Sequence, residues 1–164
     1  MFEPDELLLA LTEAGVDFVV IGGVAVGVHG FVRATKDLDI VPCPDPENLK
    51  RLADLLVALD AQQMGVGDFA PKEFPFDPTD PAQLANGANF RLETRLGAMD
   101  IMQWVPGIDA ELAYEELAPR AMTVDFRGIQ IQVCDRKHLR TMKLAASRPQ
   151  DLVDLAQLDA GEPV

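Results

Sequence analysis

The run from Asp17 to Ile21, with Phe-Val-Val-Ile at its centre, stops at Gly22-Gly23 and gives way to small and apolar residues through Val28. That order predicts a strand, a tight turn and a short helix. A second β-rich run, Thr35 to Val41, is ended by Pro42, Pro44 and Pro46, because proline cannot donate to a ladder. Inside it stands Asp37-Leu38-Asp39. Successive strand side chains alternate between faces, so Asp37 and Asp39 project together while Leu38 and Ile40 point into the core. Two adjacent carboxylates repel, and a hard cation relieves that repulsion.

The flanking segments predict an α+β chain. Pro4-Asp5-Glu6 ahead of Leu7, Leu8, Leu11 and Ala14 reads as a helix ended by Gly15. After the prolines, Leu49, Leu52, Leu55, Leu56 and Leu59 recur at helical spacing, which predicts a helix covering one sheet face. Met64 to Gly87 is rich in Pro, Gly and Asp and reads as a long loop with at most one short extended piece; it either closes over a ligand or is a passive excursion. Ala88–Glu93 and Leu96–Trp104 read as strands around a turn near Thr94-Arg95, and Thr123–Phe126 and Ile129–Val133 as a hairpin turning at Arg127-Gly128. Asp135 can cap a helix carrying Leu139, Met142 and Ala146, and Pro149 restarts helical structure. The expected fold is a mixed sheet of about five strands with helices packed mainly on one face. A single domain over residues 1–164 is expected, its C-terminal helices starting near residue 135.

Composition narrows the function classes. At 164 residues and 48% hydrophobic, the chain can bury one real core. No apolar stretch approaches the roughly 20 residues that span a bilayer, and the N-terminus lacks the basic region of a secretory signal, so a cytoplasmic protein without a membrane partner is expected. Cys43 and Cys134 stand in no disulfide or zinc spacing and read as free thiols. A formal charge of −13 opposes extended nucleic-acid binding, which rests on Lys and Arg against phosphates.

Asp100, inside the apolar run Leu96 to Met102, needs a reason to be there, since burying an unpaired carboxylate is costly. Set on a strand beside Asp37 and Asp39, it would complete a three-carboxylate site for Mg²⁺ or Mn²⁺ and could take a proton as general base. Gly22 and Gly23, lacking Cβ, would let backbone N–H groups approach a phosphate. Each feature alone has a plainer explanation. Gly-Gly also fits a turn needing positive φ, Asp-x-Asp a solvated face, and Asp100 an outward strand residue.

Together, Val19-Val20-Ile21-Gly22-Gly23-Val24-Ala25 and Arg33-Ala34-Thr35-Lys36-Asp37-Leu38-Asp39-Ile40 resemble the nucleotidyltransferases of the DNA polymerase β superfamily. The resemblance is to the small prokaryotic branch with minimal nucleotidyltransferases and AbiEii-type toxins of toxin–antitoxin systems. It implies that Asp37, Asp39 and Asp100 are catalytic metal ligands, that Gly22 and Gly23 face phosphates, and that a nucleoside triphosphate is the substrate. One departure is Gly-Gly followed by Val24, where many members carry Gly-Ser. The segment Leu139 to Asp154 is similar to a stretch of the same branch, with Lys143 as its phosphate contact. The acceptor hydroxyl is left unknown, on protein, RNA or a small molecule such as an antibiotic. The alternative is a non-catalytic interaction module whose acidic surface suits a basic protein partner, such as an antitoxin.

Arg136, Arg140 and Lys143 share one face of the predicted helix, which either counters nucleotide charge or is solvated. Arg33 and Thr35 lie close enough to the aspartates to reach a phosphate or to pair with the carboxylates. Asp151 and Asp154 read as caps or partners of Arg148. His29 and His138 read as structural, and Trp104 and Phe90 either stack on a base or fill the core.

Overall fold

The computed structural model describes residues 2–65, 68 and 70–161. Helix α1 (Asp5–Glu13) buries Leu7, Leu8 and Leu11 and has acidic residues in its first turn, where the helix dipole favours them. It ends just before Gly15, whose φ of +71° needs glycine. Strand β1 (Phe18–Ile21) is buried throughout and passes straight into α2 (Gly22–Val28). Strand β2 (Asp37–Pro42) alternates from Asp37 to Ile40, with Leu38 and Ile40 fully buried. Helix α3 (Pro46–Ala58) begins where the Asp45 carboxylate accepts from the Glu47 and Asn48 backbone N–H groups.

A two-residue strand, β3 (Gln62–Gln63), precedes the long loop. The loop contains a 3₁₀ turn at Pro71–Glu73 and α4 (Pro81–Leu84), capped by Asp80. Val66, Gly67 and Phe69, also part of that predicted loop, lie outside the described residues. Strands β4 (Phe90–Thr94) and β5 (Gly97–Ile101) form a hairpin, followed by the short α5 (Ala113–Leu117), which no periodicity announced. Strands β6 (Met122–Phe126) and β7 (Ile129–Val133) turn at Arg127-Gly128, both at positive φ as a two-residue hairpin loop requires. Helices α6 (Arg136–Ala146) and α7 (Pro149–Ala160) close the described chain.

The strands form one sheet in the order β3-β4-β5-β2-β1-β7-β6. β1 pairs antiparallel with β2 and parallel with β7, while β2 pairs parallel with β5. Seven strands thus replace the expected number of about five. Six of the seven are strand runs read from the sequence; the seventh, β3, is a polar dipeptide at the sheet edge, too short to show a period.

One sheet face carries the core. Phe90, Leu92, Met99, Ile101, Leu38, Ile40, Ile131 and Val133 are buried, and α1 packs against β7 and α3. Each fully buried leucine of α1 and α3 contributes roughly 1.5–3 kcal/mol by leaving water. The alternate residues Arg91, Glu93, Gln130 and Gln132 are exposed, so the outer strands are covered on one side alone.

Candidate active site

The sheet register gathers the predicted carboxylates. Asp39 of β2 lies directly opposite Asp100 of parallel β5, and Asp37 opposite Ala98. On the other flank, Asp39 is opposite Ile21, the last residue of β1 before the glycine turn. Opposed residues share a face, so Asp39 and Asp100 stand side by side with Asp37 one pleat repeat along β2.

At the two glycines the aspartate strand and the loop before it pass close to the turn. Gly22 has φ of +67°, and a Cβ there would lie 2.0 Å from an Asp39 carboxylate oxygen. A Cβ on Gly23 would meet Thr35 Oγ1 at 2.7 Å and Arg33 Nη2 at 3.2 Å. Both glycines therefore make room for side chains of the aspartate strand and the loop before it. The Thr35 hydroxyl donates to the Asp37 backbone carbonyl at 3.2 Å, fixing the entry to β2.

Few partners satisfy the aspartate row. Burial, then the charges of Asp37 and Asp100, push the Asp39 carboxyl up to about 7 against the pull of Lys143 and Arg148. Burial and Asp37 raise Asp100 to about 6, with Arg91 and Arg148 opposing. Asp100 Oδ1 is buried with no hydrogen-bond partner among the described residues. An acceptor that burial has stripped of water and left without a donor suits a hard cation. Among the described residues, no group of three or more Asp, Glu, His or Cys side chains is placed to hold a metal ion. Mg²⁺ does not need a full protein cage, since it keeps several waters and binds through one or two carboxylates plus substrate phosphates.

The predicted cations are placed differently from expectation. Lys143 is buried and paired at 2.9 Å with both Asp151 and Asp154. Arg33 grips Asp154 through two bonds of 2.7 and 2.9 Å, and Arg148 pairs with Asp151 at 2.7 Å. The basic face of α6 points along α7: Arg136 donates to the Gly161 carbonyl and Arg140 pairs with Asp159. Arg33 and Lys143 thus sit beside the aspartates but are engaged by α7. Asp151 does bond Arg148, as the sequence suggested, and accepts from its backbone N–H.

Sequence reasoning missed Arg91. It lies opposite Asp100 in the β4–β5 register, 3.8 Å from Asp100 and 3.8 Å from Asp37. The turn expected at Thr94-Arg95 sets Ala98 across from Arg91; the observed turn, one residue later at Arg95-Leu96, brings Asp100 there instead. Phe90 is core, whereas Trp104 is exposed. His29 contacts the Cys134 carbonyl at 2.8 Å, and His138 is buried beside Asp135. Both cysteines are free, and burial pushes the Cys134 thiol up to about 12.

A cavity of about 610 Å³ has Lys36 and Ala98, chain neighbour and register partner of Asp37, among its walls, but none of Asp37, Asp39 and Asp100 lines it. Its other walls are Phe2, Glu3, Asp5, Glu6, Glu93, Leu96 and Gly97. No described helix is long and apolar enough to cross a membrane.

No protein-family model matches the sequence, and no curated protein matches it. Solved structures do. The lincosamide antibiotic adenylyltransferase LnuA, in a lincomycin-bound crystal structure, superposes with a TM-score of 0.62 at 13% identity, covering 96% of this chain and 95% of that one. The Thermotoga maritima protein TM1012, assigned as a nucleotidyltransferase, gives 0.57 at 14% identity over 99% and 97%. Over nearly the full length of both matches, this chain has the fold of the nucleotidyltransferases.

Proposed function

We propose that the protein is a metal-dependent nucleotidyltransferase, moving a nucleoside monophosphate from a nucleoside triphosphate to an acceptor hydroxyl. The observation that carries this reading is the register placing Asp39 against Asp100, with Asp37 on the same face, at the Gly22 turn of a nucleotidyltransferase-like sheet. Asp37, Asp39 and Asp100 would hold Mg²⁺ or Mn²⁺. When bound, the ion would neutralise phosphate charge and make the attacking hydroxyl more acidic.

The chain's own residues supply the rest. Asp100, side by side with Asp39 in the sheet register, accepts the acceptor's hydroxyl proton. The freed oxygen bonds to the α-phosphorus as the bond to the departing pyrophosphate breaks. Gly22 and Gly23 keep the turn low enough for phosphates to approach, and Thr35 steadies the strand bearing Asp37. Arg33 and Lys143 act at this site as fixed positive charge, held in place by Asp154.

The chain's formal net charge of −13 favours a cationic small molecule as acceptor. Purified protein should bind a nucleoside triphosphate with Mn²⁺ and release pyrophosphate when offered cationic hydroxyl acceptors. Asp39→Asn should lower that rate by about 10³-fold or more. Absence of nucleotide binding, or an unimpaired variant, would overturn the reading. A tight complex with a basic protein and no transfer would favour the interaction module instead.

A further inference from the structure

We propose that Arg91 is a built-in counter-ion of the aspartate row, released from Asp37 and Asp100 when a divalent cation binds. The inference rests on the metal-dependent reading above and deepens it. The register places the three side chains in line: Asp39 opposite Asp100, and Asp100 opposite Arg91. Arg91 bridges the two carboxylates that flank Asp39, with Nη2 3.8 Å from Asp37 Oδ2 and Nε 3.8 Å from Asp100 Oδ1. It is the only cation among the described residues within ion-pair distance of either.

Its grip is weak. Both separations exceed a hydrogen bond, and Asp100 Oδ1 remains without a donor. Arg33, by contrast, holds Asp154 through two bonds of 2.7 and 2.9 Å. The Arg91 side chain is 55% exposed, so it can swing into solvent without leaving a buried charge behind. A guanidinium does not deprotonate in proteins, so only displacement frees the carboxylates from it. A doubly charged ion seated between the same oxygens outcompetes one loosely placed positive charge.

The test is Mn²⁺ binding in the absence of nucleotide, followed by the loss of the free-ion electron paramagnetic resonance signal at low ionic strength. Arg91→Gln should bind Mn²⁺ about three- to tenfold more tightly than wild type. Arg91→Lys, which keeps a charge on a more flexible stem, should fall between them. Lys50→Gln removes the same charge from the exposed Lys50–Asp54 pair and should leave the affinity unchanged. Circular dichroism of each variant confirms that it folds. If wild type binds Mn²⁺ and Arg91→Gln does not bind it more tightly, the counter-ion role is overturned while the metal site stands. Equal tightening in Lys50→Gln overturns it too, by showing a general charge effect. If wild type binds no Mn²⁺, the metal-dependent reading fails and takes this inference with it.

Discussion

Two groups of sequestered aspartates in this molecule share the cost of burial and differ in how it is met. On the sheet, Asp39 and Asp100 have been lifted to about 7 and about 6 by burial and by one another's neighbourhood of like charge. Between α6 and α7, burial pushes Asp154 up as well, but hydrogen bonds from Arg33, Lys143 and Gln150 more than offset it and hold the carboxyl at about 2. Asp151 is lowered in the same way by Arg148 and Lys143. Burial sets the cost of a charge, and partners decide who meets it. The α7 aspartates are finished by the protein itself. The sheet aspartates are not, and under the proposed function a divalent cation and its nucleotide would finish them.

The largest effect expected from breaking this contrast is on the scaffold side. Asp154→Ala strips Arg33 of its paired carboxylate and Lys143 of one of its two, leaving Asp151 to meet Lys143 alone. A loss of about 3–5 kcal/mol in unfolding free energy by denaturant titration is expected. The same mutation should loosen Thr35 and Arg33 from Gly23, so nucleotide binding should fall in whatever fraction remains folded.

The intermediate effect has the opposite sign. Asp39 has a raised pKa in the folded state, so its contribution to stability is fully present below the unfolded value near 4 and is lost as pH rises through about 7. Metal-free protein should therefore lose thermal stability between about pH 4 and pH 7, and Asp39→Asn should flatten that slope and raise the melting temperature at pH 8 by about 3–8 °C. A stability gain paired with a loss of transfer would separate site from scaffold in one variant. Because a cation needs the ionised carboxylates, Mn²⁺ affinity should rise across the same window.

The smallest effect is at the rim. Arg148 bonds Asp151, but its side chain is 74% exposed, and Arg148→Ala should cost less than about 1 kcal/mol by thermal unfolding.

Much of this was legible before any coordinates. The alternation of β2, the glycine turn, the β6–β7 hairpin at Arg127-Gly128 and the Asp135 cap are local patterns, and local patterns survive folding when one face is buried. The three carboxylates were legible as candidates because an aspartate in an apolar strand is costly without a purpose. Lys143 shows where that reasoning stops. Its helical face was correctly drawn, but which element that face met was not, and α7 rather than solvent lies against it. Arg91 was overlooked for the same reason, since its meaning comes from Asp100 across a strand pair and Asp37 on the strand beyond.

By itself the sequence determined the elements, the side of β2 on which Asp37 and Asp39 project, and the residue types able to hold a hard cation. These follow from backbone sterics and side-chain period, which act within a few residues. Only the tertiary structure decided that β2 sits between β1 and β5, which aligns Asp39 with Asp100 and draws Arg91 to the row. Only it decided that Arg33 and Lys143 are satisfied by α7 while the sheet aspartates are not. Charge pairing depends on distance through space, and that distance is fixed by packing between segments far apart along the chain.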